Sequence, residues 1–130
     1  MNDFELNLSA QEYFLGLLGE LFSKGYIAYK EYLKLGRKLY YALIIKKNNE
    51  IIEKLISNNI HLFDGEQRSD LLAIASHINS WVKQWNILYK NSNPKLDDEF
   101  AFSTSIKFPK KSLERLDNYF FLNFNTKFPN

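Results

Sequence analysis

Read as a helix, residues 26–47 place four cations on one face: at about 100° per residue from Lys30, Lys34 falls at ~40°, Lys38 at ~80° and Arg37 at ~340°, opposite an apolar set centred at ~220°. Such a row attracts phosphate or carboxylate but catalyses nothing by itself. Ile27, Tyr41 and Ile45 fall among the cations, so the face mixes charge with apolar surface, as a binding surface requires. A phosphate backbone would be met by the cations, with Tyr41 stacking or donating a hydrogen bond; an acidic protein would use the same groups. The competing reading is structural: another element covers Ile27, Tyr41 and Ile45 while lysine stems line the rim.

The second candidate is Asp97, Asp98 and Glu99, which follow Asn93-Pro94. Clustered carboxylates can hold Mg²⁺ or Ca²⁺, or divide acid and base roles. Consecutive residues of a strand point to opposite faces, however, and no EF-hand pattern surrounds these three, so a solvated loop is expected. Such a loop can still mimic phosphate toward a basic partner.

His61 and His77 are the chain's imidazoles, and neither sits in a zinc spacing. A site using His61 or His77 with Asp64 or Asp70 would need the groups to meet in an open cleft. His77 and Asp70 lie two turns apart, about 11 Å along a helix axis, which argues against direct pairing. No Gly-x-Ser-x-Gly elbow, cysteine nucleophile or glycine-rich phosphate loop occurs. Neither a catalytic constellation, a metal site nor a cofactor site is therefore expected. Trp81 and Trp85, at i and i+4, read as core packing.

These groups must be positioned by helices. Ser9 and Glu12 have the spacing of a capping box, with Leu8 and Tyr13 as its hydrophobic staple, predicting a helix over 10–24 that Gly25 stops. Gly16 and Gly19 would allow a close helix crossing. The next helix, residues 26–47, turns Ala28, Tyr29, Tyr32, Leu33, Leu35, Gly36, Leu39, Tyr40 and Leu43 inward. A short helix over 50–57 ends at the Asn58-Asn59 turn. Asp64 and Gln67 open the longest periodic stretch, which stops before Asn91 to Pro94. The period then changes to two: Phe100, Phe102, Thr104, Ile106 and Phe108 alternate, as do Leu122, Phe124, Thr126 and Phe128. Both read as strands flanking a helix from Pro109 to about Phe121, and Phe4, Leu6 and Leu8 offer a third.

The fold class that follows is mainly α (α+β): a bundle of three to four helices with a small C-terminal β element over 99–108 and 121–128, joined by residues 3–8. With 130 residues and 45% hydrophobic content, the chain has enough apolar surface for one globular domain over 1–130. The net charge of +2 conceals an asymmetry: residues 1–23 carry Asp3, Glu5, Glu12 and Glu20 and no base, whereas 24–54 are strongly basic. Abundant lysine and asparagine together are a bias AT-rich coding produces, which weakens a nucleic-acid reading.

No cysteine is present, which suits a reducing compartment, and the start MNDFELNLSA lacks a cationic segment followed by an apolar one; a cytoplasmic location is expected. No apolar run approaches the ~20 residues of a membrane span. By elimination the expected function is non-enzymatic binding of another protein, as by a small inhibitor or immunity-type antidote, through Lys30, Lys34, Arg37, Lys38 and Tyr41 with Asp97, Asp98 and Glu99 as a second patch. The alternative is phosphate-directed nucleic-acid binding through helix 26–47. An aromatic terminal strand could also pair between chains, leaving a homo-oligomer open.

Overall fold

The computed structural model describes residues 2–104 and 107–129. Among these it contains four α-helices, α1 (Asp3–Lys34), α2 (Leu39–Asn59), α3 (Gly65–Ser92) and α4 (Lys110–Phe124), with a single 3-10 turn over Ile60–Leu62. The mainly helical, bundle-like class follows the apolar periodicity. No sheet forms among the described residues; the one β-type contact is an isolated bridge between Lys38 and Glu99.

α1 begins where Asn2 Oδ1 accepts the amide of Glu5 at 2.8 Å, with Asp3 and Glu5 at the positive end of the helix. The expected start at Ser9 is therefore a mid-helix position, and residues 3–8 are helical rather than a strand. Phe4 and Leu6 are exposed there. Nor does Gly25 stop the helix. Asn48 of α2 reaches in to donate to the Leu21 carbonyl at 2.8 Å, and a Cβ on Gly25 would lie 2.9 Å from its Nδ2. Gly25 is a site of close approach.

The stop comes at Gly36, whose φ of +91° suits a residue without Cβ. The Leu35 amide donates to Glu31 O at 2.9 Å and the Arg37 amide to Tyr32 O at 2.7 Å, a Schellman-type closure with Gly36 at its left-handed position. Helix 26–47 is thus broken at 35–38. α2, in turn, runs unbroken through Asn48-Asn49 to join the segment expected as a separate helix.

α3 matches its expected span, from the N-cap Asp64 to the left-handed Asn93. α4 follows Pro109 and ends at Asn125, with φ of 54°. Leu122 and Phe124 are consequently helical, which removes the expected strand over 121–128. Phe120, Phe124 and Phe128 fit a period of four as well as two, and Phe128 folds back on Phe120 with ring centroids 5.5 Å apart.

The other expected strand fails for an instructive reason. Phe100 packs on Trp85 at 4.8 Å, Phe102 on Trp81 at 5.4 Å and Phe108 on His77 at 5.3 Å. Phe100 and Phe102 thus follow successive turns of α3, at Trp85 and Trp81, since two extended residues rise about as far as one helical turn. Ile106 of that alternation lies outside the described residues.

The core has two parts. The larger gathers Phe14, Leu15 and Leu18 of α1 with Ile52, Ile56, Leu71, Ile74, Leu116 and Phe120 of the other helices, and Phe63. Buried Asp70 ties α3 to α4: Arg115 Nη2 donates to Oδ1 at 2.7 Å and Nε to both carboxylate oxygens at 3.1 Å. That hydrogen bond raises the guanidinium pKa. The smaller part, Leu39, Ala42, Trp85 and Phe100, lies beneath the α1–α2 corner.

Candidate functional site

The two patches read separately from the sequence converge on this corner. Lys30 and Lys34 are exposed on the last turns of α1, Arg37 and Lys38 form the corner, and Tyr41 stands half-buried in the first turn of α2. The cations therefore belong to two helices and a turn, not to one helical face. Asp97, Asp98 and Glu99 lie against the corner at 37–40. The Leu39 amide donates to Asp98 O at 2.9 Å, Tyr40 to Leu96 O at 3.1 Å and Phe100 to Arg37 O at 2.8 Å, while Lys38 Nζ lies 3.8 Å from Asp97 Oδ1.

This arrangement gives the acidic turn a structural task. The first amides of a helix lack internal partners, and the N-cap Lys38 supplies no side-chain cap. Carbonyls of 96 and 98 take that place, and the turn's carboxylates sit near the positive end of α2, whose own first turn contains no acid. Asp98 Oδ2 also accepts the Lys95 amide at 2.8 Å, tightening the turn.

Aromatic groups hold the corner from below. The Tyr32 hydroxyl donates to the Phe100 carbonyl. Burial pushes the Tyr32 phenol above its usual range, opposed by the Arg37 cation. Trp85 Nε1 donates to Ala42 O at 3.2 Å, its ring stacks on Tyr89 at 5.2 Å, and Lys46 Nζ lies 4.5 Å from the centre of the same ring.

Of the apolar residues expected among the cations, Ile45 is buried, Tyr41 is half-buried and Ile27 is 59% exposed, so cover is partial. Sequence reasoning turned Tyr29, Leu33, Leu35 and Tyr40 inward, yet all four are exposed, as are Tyr26 and Leu96. The missed signal was Leu35-Gly36-Arg37-Lys38, a glycine followed by bases, which fits a helix end better than a helix interior.

The other candidates stay apart from this corner. His61 is exposed within the 3-10 turn and His77 packs edge-on to Phe108, while Asp70 turns to Arg115. Among the described residues no group of three His, Asp or Glu could hold a metal ion. A groove of about 650 Å³ opens between α2 and α3, lined by Ile56, Leu72 and Ala75 together with Glu50, Glu53 and Lys54. Glu53 Oε2 is buried there without a hydrogen-bond partner among the described residues. No described helix is long and apolar enough to cross a membrane.

No family model, curated protein or solved structure matches this chain.

Proposed function

We propose that the chain is a non-enzymatic protein-binding module whose contact surface is the α1–α2 corner: Lys30, Lys34, Arg37, Lys38 and Tyr41, with Asp97, Asp98 and Glu99 beside them. The observation that carries this reading is the set of exposed apolar residues threaded between those charges, with Tyr26 54%, Ile27 59%, Tyr40 52% and Leu96 55% exposed. Tyrosine and arginine together are the residue types that dominate protein interfaces, because they bring large area and hydrogen-bonding capacity at low entropic cost.

Charge also separates this reading from nucleic-acid binding. A polyanion is held by a continuous run of cations, and here an acidic turn interrupts the run, with Asp97 paired to Lys38 at 3.8 Å. Opposite charges side by side instead suit a protein surface with complementary charges, where they set orientation and association rate. A small inhibitor or immunity-type antidote acting in the cytoplasm is the form of module that fits this size and patchy charge.

Replacing Lys30, Lys34, Arg37 and Lys38 together by alanine is expected to abolish retention of a nuclease-resistant protein partner in affinity capture, while far-ultraviolet circular dichroism stays unchanged. Unchanged retention would remove the corner as the contact surface. Recovery of nucleic acid alone, lost at high salt, would assign the surface to phosphate contacts.

A further inference from the structure

We propose that the partner's contact element is an acidic amphipathic helix seated along the exposed face of α1 at Tyr26, Tyr29 and Leu33; this rests on the protein-binding reading above and names the partner's chemistry.

α1 carries one apolar stripe, Leu15, Leu18, Phe22, Tyr26, Tyr29 and Leu33, at the three- and four-residue spacing of a single helical face. Its first half is covered. Leu15 and Leu18 are 0% exposed, and the chain's own tail closes over the next turn, with Phe128 edge-on to Phe22 at 6.1 Å. A Cβ on Gly19 would lie only 2.8 Å from the Phe128 ring, so the glycine makes room for that cover.

Past Phe22 the cover ends while the stripe continues, with Tyr26, Tyr29 and Leu33 at 54%, 48% and 43% exposure. Anchors at i, i+3 and i+7 spanning about two turns are what a packed helix uses.

Charge selects the occupant. On the helical wheel Lys30 lies ~40° and Lys34 ~80° from Tyr26, forming one cationic border to the stripe. Lys30 Nζ lies 4.9 Å from the centre of the Tyr26 ring, so this border touches the apolar anchors. Between residues 21 and 36 Glu31 is the one acid against Lys24, Lys30 and Lys34. A second copy docked antiparallel would set Lys30 and Lys34 against their own kind, which costs energy in a partly desolvated interface. An acidic helix meets the same border favourably, while Asp97 is paired with Lys38 at the start of α2 and Asp98 with the Lys95 amide of its own turn.

The test uses the full chain and two fluorescein-labelled helical peptides of about five turns that share a Leu/Phe stripe, one with a Glu-rich and one with a Lys-rich polar face. Fluorescence anisotropy is expected to show the acidic peptide binding at least about tenfold more tightly than the basic one. Leu33→Asp and the pair Lys30→Glu with Lys34→Glu should each weaken it by about tenfold or more, while Leu122→Asp on α4, at a site 79% exposed, should leave it unchanged.

Equal binding of both peptides, a preference for the basic one, or indifference to Leu33→Asp would overturn the inference. So would displacement of the acidic peptide by a single-stranded oligonucleotide at lower concentration than by unlabelled peptide. Sedimentation showing a dimer that Leu33→Asp dissociates would assign the stripe to a second copy and overturn it as well. If neither peptide binds, the helix inference falls. The broader protein-binding reading then stands only if alanine at the four cations still releases the captured protein.

Discussion

The two halves of α1 carry the same apolar stripe into different surroundings. From Leu15 to Phe22 it is enclosed by the other helices and the C-terminal tail; from Tyr26 to Leu33 it is open, above a small aromatic cluster that supports the corner from one side. The enclosed half is held chiefly by apolar burial, which requires only that volumes fill. At the corner, backbone hydrogen bonds between 37–40 and 96–100, the Tyr32 hydroxyl and the Trp85 indole do much of the holding. A region fixed by directed bonds can keep apolar groups exposed without collapsing over them. That is how the proposed binding surface would be kept in place on a chain of this size.

The largest expected effect on this contrast comes from Trp85→Ala. The ring is 2% exposed and bonds to Ala42, so its loss should cost about 3–5 kcal/mol in urea unfolding. If the corner is a unit of its own, hydrogen exchange should accelerate first at residues 37–42 and 96–100, with 71–78 remaining protected. Uniform acceleration would merge the two regions into one cooperative core.

Gly36→Ala sharpens the comparison with less force. At φ +91° a Cβ is strained by about 1–2 kcal/mol, even though the nearest heavy atom, Lys38 Cε, would be 3.9 Å away. Thermal unfolding should show that loss with the main core intact; a neutral result would mean the corner can be closed another way.

Tyr32→Phe should cost about 1 kcal/mol near neutral pH, the size of one hydrogen bond. It also has a pH signature. Burial raises the folded-state pKa of Tyr32, so its contribution is fully present below the unfolded tyrosine value of about 10 and is lost as pH rises through the higher folded value. Tyr119, raised for the same leading reason, behaves alike. Thermal midpoints from pH 9 upward should therefore fall for the wild type, and less steeply for Tyr32→Phe. Parallel curves would remove Tyr32 from the alkaline limb.

What was legible in the sequence divides along the same line. α3 could be read close to both ends: the left-handed Asn93 closes it locally, its amide donating to Tyr89 O, whereas Asp64 stands at the N-cap without the side-chain cap bond its spacing suggested. Gly25 and Gly36 are set apart in sequence only by the bases that follow Gly36, and tertiary contacts fix the difference: Asn48 crosses close to one, while the 96–98 turn takes over capping after the other. The alternation of Phe100 and Phe102 was real, but period two records contact with a regular surface and does not say whether that surface is a strand or a turn of helix. The charged residues of the corner were visible by type. Their meeting was not, because it depends on a break at 35–38 that the apolar period of 26–47 concealed.

The most direct measurement takes Leu33→Asp and reads unfolding and retention of a nuclease-resistant protein partner from one preparation. Leu33 is 43% exposed at the open end of the stripe, so stability should change by no more than about 0.5 kcal/mol while retention is lost. Retention equal to wild type, or a stability loss of the size expected for a core leucine, would contradict the claim that the open half of α1 is an interface.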